Sequence, residues 1–484
     1  MNDIKDIEPQ LIWHYFNEVC KVPRPSRHEE KMIEFLLHFA AENGLEAKKD
    51  LAGNVVIRKP GTKGLENGKT IVLQSHMDMV CEKNEGVVHD FFNDPIVPFI
   101  ENGWVRAANT TLGADCGIGM AASLAILADI NLTHPPVEAL FTVDEETGLT
   151  GAQALQPGFL EGKILLNLDS EDEGEIFIGC AGGIDTTATF DYQPQGIPDN
   201  SLAFKISVSG LQGGHSGDDI EKGRGNSIKI LNRFVYQLIE SCEYRIGSFN
   251  GGNLRNAIPR EATIILVIPT NMKEHLAIEL NHFRAGMENE LFLKEPRFKI
   301  TLESAEMPES VMNKSSQSSL VNALYAMPHG VHSMSFRMPG MVETSTNLAS
   351  IKFKTESVVE IVTSQRSDQE TGKQDMAQMV ESVFRLVGAK VTRGDGYCGW
   401  TPNPSSQVLE ISRNLYETLF GVKPVVRSIH AGLECGLFLE KFPDLDMISF
   451  GPTLRGVHSP DEKIEIASVE KFWRFLTELL PKLA

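Results

Sequence analysis

The short apolar run from Ile71 to Leu73 constrains this chain most, because it leads directly into the segment 74–78, which carries His76 and Asp78. A short apolar run of this kind is typical of a buried strand. His76 and Asp78 follow this run and are therefore expected at the strand exit, where an α/β protein presents ligand groups to a crevice. Residues two apart in an extended segment share a face, so His76 and Asp78 are expected to point the same way. The pattern predicts an α/β fold with a site at the strand ends.

Three further acidic segments suit the same idea. Glu145 and Glu146 follow the apolar run 137–143, Asp169 follows the run 164–168, and Asp115 precedes an Ala-rich stretch. Taken singly, each has an ordinary explanation: neighbouring acids are usually solvated, and Asp115 alone is better explained as a helix cap. A lone loop histidine such as His458 usually has no function. Repetition at several strand exits nevertheless makes a metal site the leading interpretation.

Composition excludes several classes of protein. The 484 residues carry 45 Lys and Arg against 65 Asp and Glu, a formal charge of −20 that disfavours nucleic acid as a partner. No stretch approaches the roughly 18 consecutive apolar residues of a membrane span. The N-terminal residues lack the basic-then-apolar layout of a secretory signal. Seven scattered cysteines without a CxxC pair indicate reduced thiols, and a cytoplasmic location is expected.

The periodicity of the chain changes twice. Helical spacing over 8–46 is followed by strand-like runs that alternate with an Ala-rich helix over 117–130, which predicts a layered domain with a mostly parallel sheet. Beyond about residue 186, strands alternate polar and apolar residues, as in a half-exposed antiparallel sheet. After residue 400 the first pattern returns, with helical segments alternating with a strand-like run. We therefore expect a catalytic domain at 1–186 and 400–484, with an α+β domain inserted at 187–399.

As a set, the candidate ligands supply two imidazoles and three carboxylates. The imidazoles are those of His76 and His458, and the carboxylates are those of Asp115, Asp169 and one member of the 145–146 pair. They are suited to zinc, cobalt or manganese, and no cysteine cluster indicates a structural zinc site. Two divalent ions can hold a hydroxide and polarise a carbonyl, which is the chemistry of amide hydrolysis. One carboxylate of the 145–146 pair would bind metal while the other handles protons.

Longer motifs carry a family resemblance. They are SHMDMV, TTLGADCGIGMA, DEETGLTGA, LNLDSEDEGE, CAGGID, GLQGGHSGDDI, FNGGNLRNAIPRE, IHAGLECGLF and GPTLRGVHSPDE. In these stretches, which run from near residue 20 to the C-terminal helix, the chain resembles the bacterial aminoacyl-histidine dipeptidases, also called peptidase D or cytosol non-specific dipeptidases. That family lies within the di-zinc aminopeptidase, carboxypeptidase and aminoacylase superfamily. The resemblance implies a three-layer catalytic domain and an inserted lid made of two similar units.

The resemblance also implies a role for each candidate ligand. Asp115 would bridge two divalent ions, most simply Zn²⁺, with Co²⁺ or Mn²⁺ as alternatives. One site would be completed by His76 and Asp169, and the other by Glu146 and His458. Catalysis would use Glu145 as general base, with Asp78 orienting His76. Cys116 stands where the family is expected to have Asn, and Val143-Asp144 precede the Glu pair where Thr is expected; neither departure changes a ligand.

The lid and the pocket wall would supply the substrate contacts. His215 would face the tetrahedral oxyanion, in its own or a partner subunit's active site. Asn256 and Arg366 would hold the substrate, the latter by pairing with a dipeptide's terminal carboxylate. Gly432 and Glu434 would line the pocket wall. A homodimer through the lid is implied as well.

The expected activity is hydrolysis of unblocked dipeptides, including Xaa-His and carnosine-like peptides. A tripeptidase, an aminoacylase or a deacylase of acetylated amines would use the same metals and base, and differ only in lid contacts. A protein that binds peptide or metal without turnover is a separate alternative. The complete ligand set together with Glu145 argues against that alternative.

Overall fold

The computed structural model describes residues 4–484. Its α-helices are α1 (Gln10–Cys20), α2 (Glu30–Glu42), α3 (Ala114–Ala128), α4 (Glu145–Gly148), α5 (Thr150–Ala154), α6 (Ser227–Gln237), α7 (Lys273–Leu291), α8 (Lys314–Ala326), α9 (Glu370–Leu386), α10 (Gln407–Phe420), α11 (Glu434–Lys441) and α12 (Ile466–Leu479).

The strands are β1 (Glu46–Lys49), β2 (Val55–Lys59), β3 (Ile71–His76), β4 (Pro98–Glu101), β5 (Trp104–Ala107), β6 (Val137–Thr142), β7 (Ile164–Asn167), β8 (Glu175–Cys180), β9 (Gly182–Asp191), β10 (Pro194–Gln195), β11 (Ser201–Ser209), β12 (Gly214–His215), β13 (Arg245–Gly251), β14 (Ala257–Ile258), β15 (Ala262–Pro269), β16 (Lys299–Ser304), β17 (Val311–Met312), β18 (Gly330–Met334), β19 (Val342–Thr355), β20 (Val358–Ser367), β21 (Lys390–Arg393), β22 (Val425–Ile429), β23 (Asp446–Ser449), β24 (Leu454–Arg455) and β25 (Lys463–Glu465).

The chain divides into two compact units. Unit 1 takes the chain up to Gly179, together with Trp400–Ser428 and Leu433–Ala484; unit 2 takes Cys180–Gly399 and Ile429–Gly432. The sequence predicts an insertion at 187–399. Strand β9 already belongs to the large sheet of unit 2, so the structural division falls earlier, at Cys180.

Unit 1 is built on an eight-stranded sheet with the order β1-β2-β6-β3-β7-β23-β8-β22. The predicted α/β class is confirmed, and the predicted parallel pairing holds for the central strands β6, β3, β7 and β23. The flanking pairs β1–β2, β2–β6 and β23–β8 are antiparallel, so the sheet is mixed. Strands β3 and β7 are buried along their whole length, as expected of central parallel strands.

Helices cover the sheet of unit 1 because their apolar sides need burial. Alternate residues of β2 and β6 pack against α1, α2 and α3 in one cluster. Helix α3 is apolar almost all round and is buried almost throughout. The predicted helical stretch 8–46 is two helices, α1 and α2, separated by a loop at residues 21–29.

A second, four-stranded sheet in unit 1 has the order β24-β25-β5-β4. Leu454 of β24 pairs with Ile464 of β25. The loop between these two strands carries His458, so the sheet fixes both ends of that loop. Strands of two to four residues leave too little alternation for the sequence to predict them.

Unit 2 contains a nine-stranded sheet with the order β16-β11-β15-β13-β19-β20-β9-β21, with β18 also paired to β19. The predicted antiparallel pairing is confirmed, for example between β11 and β15 and between β20 and β9. Alternate residues of β11 and β15 pack in one cluster with helices α6, α7, α8 and α9. The similarity of two halves within this unit stays a prediction.

Candidate metal centre

The carboxyl ends of three neighbouring strands bring the acidic segments together. Strand β3 lies between β6 and β7 and runs parallel to both. His76 ends β3, the pair at 145–146 follows β6, and Asp169 follows β7. Parallel strands present their carboxyl ends at one edge of a sheet, so three segments far apart in sequence meet there.

His76 lies among three carboxylates. Its Nε2 atom is 3.1 Å from Asp115 Oδ1 and 3.3 Å from Asp169 Oδ1. Its Nδ1 atom is 3.3 Å from Asp78 Oδ1. A metal-bound imidazole commonly presents its other nitrogen to a carboxylate, and Asp78 occupies that position.

A second group forms around His458. Its Nε2 atom is 3.0 Å from Glu146 Oε2 and 3.1 Å from Asp115 Oδ2. Asp115 therefore directs one oxygen toward each histidine, which is the arrangement needed of a carboxylate shared between two cations. The structure thus brings together all five predicted ligands, His76, Asp115, Glu146, Asp169 and His458.

The interpretation of Asp115 as a helix cap is wrong. Its backbone angles are non-helical (φ −84°, ψ 113°), and its carboxylate contacts the two histidines. The backbone N–H groups of residues 112–115 instead donate to the carboxylate of Glu462. Nothing in the Ser-Pro-Asp-Glu-Lys segment around Glu462 distinguishes it from an ordinary surface acid, so sequence reasoning missed this contact.

The donor set fits a metal. Potential ligand atoms of His76, Glu145 and Glu146 lie within 4.8 Å of one another, as do those of Asp115, Glu146 and His458. Among residues 4–484, the buried atoms Glu146 Oε1 and Asp169 Oδ1 accept no hydrogen bond. Buried oxygens normally have a partner, so a bound cation would complete their coordination. Imidazole and carboxylate donors suit zinc, cobalt or manganese.

Cys116 adds a thiol beside one of these groups. Its Sγ atom, a nitrogen of His76 and an oxygen of Asp169 lie within 4.8 Å of one another. Burial raises the pKa of this thiol well above its ordinary value, so the sulfur stays protonated at neutral pH. The departure from the expected Asn therefore places a weak donor next to Asp169.

Asp78 connects His76 to the turn that carries the Glu pair. Its carboxylate accepts hydrogen bonds from the backbone N–H groups of Glu145 (3.0 Å) and Glu146 (3.2 Å) and from the Ser26 hydroxyl (2.8 Å). Burial favours the protonated form, but the contacts with His76 and these donors hold the pKa of Asp78 below its ordinary value. Asp78 is therefore an anion that orients an imidazole and a turn together.

The carboxylates of the centre differ in the direction and size of their pKa shifts. Burial raises the pKa of Glu145 well above its ordinary value, and Asp169 and Glu146 reinforce the effect through like charge. Burial also raises the pKa of Asp169 to about 6. The pKa of Asp115 is lowered despite burial, because His458 and His76 both bond to it. Glu145 is thus the strongest proton acceptor of these three.

The two histidines are held as cations when no metal competes for them. Burial would lower the pKa of His76, but Asp169, Asp115 and Asp78 hold it well above its ordinary value. Hydrogen bonds to Asp115 and Glu146 raise the pKa of His458 to about 11. A metal ion must displace these protons, so metal binding is expected to release protons.

Glu434 lies in a buried polar network that crosses the sheet. Its Oε2 atom accepts hydrogen bonds from Gln74 Nε2 (2.6 Å) and Thr142 Oγ1 (2.7 Å), and Gln74 in turn accepts one from Asn167. Its Oε1 atom has no hydrogen-bond partner among residues 4–484. Burial raises the pKa of Glu434 to about 8. The residue therefore lies under the strand ends that carry the centre.

Unit 2 holds the remaining candidates. His215 belongs to β12 and pairs with Ala257 of β14, and the carbonyl of Asn256 accepts a hydrogen bond from Ser216 N (2.8 Å). The Nδ1 atom of His215 is 3.4 Å from Asp218 Oδ2. These two candidates therefore lie in adjacent segments.

Arg366 is a buried cation without a carboxylate. It is 7% exposed, and its Nη1 atom donates to the Tyr397 hydroxyl at 2.9 Å. In the described part of the chain no carboxylate pairs with it, and its Nε atom lacks a partner. Gly432 lies against the Tyr397 ring, since a Cβ there would come within 2.8 Å of it. A buried guanidinium of this kind is suited to a carboxylate ligand.

Sequence reasoning also missed Arg24. Its guanidinium is buried and donates to the carbonyls of Met77 (3.1 Å), Asp78 (2.6 Å) and Gly113. The available signal was a pair of flanking prolines, Pro23 and Pro25, which is typical of a fixed loop.

No helix among residues 4–484 combines the length and apolar character needed to cross a bilayer.

Comparisons with known proteins match most or all of the chain. A model of peptidase family M20/M25/M40 matches residues 72–482. The cytosol non-specific dipeptidase of Escherichia coli (strain K12) is 43% identical over 483 residues, covering 100% of this chain and 99% of that protein. The crystal structure of aminoacylhistidine dipeptidase from Vibrio alginolyticus matches with a TM-score of 0.92 and 43% identity, covering 100% of this chain and 98% of that one.

A more distant structure shares the fold. The aminopeptidase PepT from Bacillus cereus ATCC 10987 has a TM-score of 0.57 at 17% identity, covering 99% of both chains. The similarity therefore extends over both units and does not depend on the centre alone.

Proposed function

The chain belongs to peptidase family M20/M25/M40, and from that premise we propose that it is a metal-dependent dipeptidase that hydrolyses unblocked dipeptides. Xaa-His dipeptides are the first expected substrates, and carnosine-like β-alanyl peptides are included. The proposal is carried by one observation: two histidines and three carboxylates converge at one sheet edge with Asp115 between them. The 43% identity to a dipeptidase along the full length supports the substrate class.

The proposed ligand assignment follows from the contacts. Asp115 would be shared, with His76 and Asp169 on one side and Glu146 and His458 on the other. When bound, two divalent ions supply the positive charge that acidifies water and polarises the peptide carbonyl. Zn²⁺ suits these donors best, and Co²⁺ or Mn²⁺ are alternatives.

Glu145 is the proposed general base. Its pKa is raised by burial and by neighbouring carboxylates, which makes it a better proton acceptor than an exposed Glu. It would take a proton from the attacking water and pass it to the amine as the C–N bond breaks. Asp78 holds Glu145 through its backbone N–H and faces His76, so we assign it a positioning role.

Unit 2 is proposed to bind the substrate. Arg366 would pair with the dipeptide's terminal carboxylate, which is supported by its burial without an acidic partner. Asn256 and Gly432 would contact the peptide, and His215 would face the oxyanion. Glu434, in unit 1, would lie at the pocket wall. A homodimer through unit 2 and a cytoplasmic location complete the proposal, the latter supported by similarity to a cytosol dipeptidase.

A substrate panel tests the proposal. Purified protein is assayed with Ala-His, Ala-Ala-Ala and N-acetyl-His, and its metal content is measured on the same sample. Hydrolysis of Ala-His in preference to the other two is expected. Preferential cleavage of Ala-Ala-Ala or N-acetyl-His would replace the proposal with a tripeptidase or a deacylase. Full metal content without any cleavage would indicate a binding protein.

A further inference from the structure

One buried carboxylate holds the turn that carries Asp115. Glu462 is 2% exposed, and its two oxygens accept hydrogen bonds from the backbone N–H groups of residues 112, 113, 114 and 115 at 2.7, 2.9, 2.8 and 3.4 Å. These N–H groups lie at the start of α3 and have no partner within the helix. A single side chain therefore fixes the backbone from which Asp115 extends.

The loop that carries Glu462 also carries His458. Within it, Ser459 Oγ donates to the Gly456 carbonyl at 2.7 Å and accepts from Asp461 N at 3.2 Å. Glu462 N donates to the Ser459 carbonyl at 3.0 Å. Strands β24 and β25 pair at either side of this loop. The loop is therefore internally braced, and docking Glu462 also places His458.

We infer that Glu462 is a positioning residue that sets the separation of Asp115 and His458, and with it the affinity of the Asp115–Glu146–His458 group for a divalent cation. The separation in question is the 3.1 Å between Asp115 Oδ2 and His458 Nε2. A small rotation of either segment would move one ligand and leave the other in place. This inference rests on the proposed metal centre.

A cation braces the same turn from its other side. Arg24 donates to the carbonyls of Gly113 and Asp78, and so ties the turn to the exit of β3. Glu462 accepts hydrogen bonds from the backbone N–H groups of the turn, and Arg24 donates one to the carbonyl of Gly113 in the same turn. Loss of Glu462 therefore frees Asp115 relative to His458, while Arg24 still holds the turn near His76. The effect is expected at one metal group more than at the other.

A purely structural role for Glu462 needs a matched control, and Glu138 provides one. Glu138 is equally buried and accepts hydrogen bonds from Glu161 N (2.8 Å) and Gly162 N (2.9 Å), with Arg58 Nε at 2.9 Å. It lies at the start of β6, whereas the metal centre lies beyond the end of that strand. Removing its charge disturbs an amide-holding carboxylate without touching the segments of the centre.

The test compares wild type, Glu462→Gln and Glu138→Gln in the full-length protein. Zn²⁺ affinities are measured by competition with a chromogenic chelator, and thermal unfolding of the metal-free proteins is measured in parallel. For Glu462→Gln we expect one Zn²⁺ equivalent to weaken about 10-fold to 100-fold, the range found when groups that support metal ligands are removed. For Glu138→Gln we expect a lower melting temperature with Zn²⁺ affinities like those of wild type.

Wild-type Zn²⁺ affinity in Glu462→Gln, or an equal loss in Glu138→Gln, would overturn the inference. Should Glu462→Gln not give folded protein, Glu462→Asp decides, because it keeps the charge and shortens the side chain that reaches the four backbone N–H groups. Weaker binding of one equivalent supports the inference, and unchanged binding contradicts it. Failure of the proposed function is distinguishable: wild type that binds Zn²⁺ without cleaving Ala-His would remove the dipeptidase proposal and leave the Glu462 comparison intact, whereas wild type that binds no Zn²⁺ would overturn both.

Discussion

Replacing Glu434 by glutamine is expected to change how the stability of the metal-free protein depends on pH. In the folded state, burial raises the pKa of Glu434 to about 8, whereas an unfolded glutamate has a pKa of about 4.3. The folded state therefore keeps the proton to a higher pH than the unfolded state. Stability from this group is fully present below the unfolded pKa and is lost as pH rises toward 8.

The magnitude follows from the two pKa values. Between pH 5 and pH 8, the wild-type protein should lose about 4 kcal/mol of unfolding free energy through this group, at about 1.4 kcal/mol per pH unit. Glutamine cannot ionise and removes this loss. It also places an NH₂ or a carbonyl where Glu434 Oε1 lacks a partner, at a cost of about 1–3 kcal/mol. The variant should be less stable than wild type near pH 5 and more stable near about pH 8.5.

Urea unfolding of chelator-treated protein at both pH values measures this crossover. The control is Glu138→Gln, which removes an ion pair with Arg58 and should lower the unfolding free energy at both pH values. If the difference between Glu434→Gln and wild type were the same at both pH values, the proposed burial of an ionisable Glu434 would be refuted.

Three further substitutions separate the proposed roles. Glu145→Gln should retain metal and lower kcat for Ala-His by ~10²–10⁴-fold; turnover near that of wild type would exclude it as the base. Asp115→Ala should lose metal along with activity, because it contacts both histidines; full occupancy by metal analysis would count against a shared ligand. Arg366→Lys should raise KM for Ala-His about tenfold, since lysine lacks the bidentate geometry for a carboxylate; an unchanged KM would exclude that contact.

The strand exits were the part of the centre that sequence could predict. A short apolar run followed closely by His76, or directly by Asp169, is a local pattern. Strand β7 has nearly the expected bounds, whereas β3 begins as expected and continues to His76. The convergence of these exits follows from parallel pairing, which the α/β alternation also indicates. The segments around His76 and Asp169 could therefore be predicted from the sequence alone.

The supports behind the ligands could not be predicted in the same way. Asp115 has the sequence context of a helix cap, yet Glu462, 347 residues further along the chain, bonds its amide. Arg24 reaches three carbonyls from a loop that carries no periodic signal. Such contacts join segments through backbone groups, which every residue possesses, so no side-chain pattern marks the partner.

Unit 2 shows a different limit. Arg366 has polar neighbours in the sequence, which is typical of an ordinary surface arginine. Only the fold shows that it is buried beside Tyr397. The family resemblance pointed to Arg366 through the segment SQRSD, whereas periodicity did not. Burial of a charged residue depends on which strands become neighbours, and β20 lies between β19 and β9 in the finished sheet.

Titration of metal-free protein with Zn²⁺, followed by Ala-His hydrolysis at each step, tests the central claim most directly. We expect no hydrolysis without metal, and a rise that levels off at about two ions per chain, because one shared carboxylate serves two cations. Hydrolysis at the full rate in the metal-free protein, or a failure of Zn²⁺ to restore it, would contradict the account.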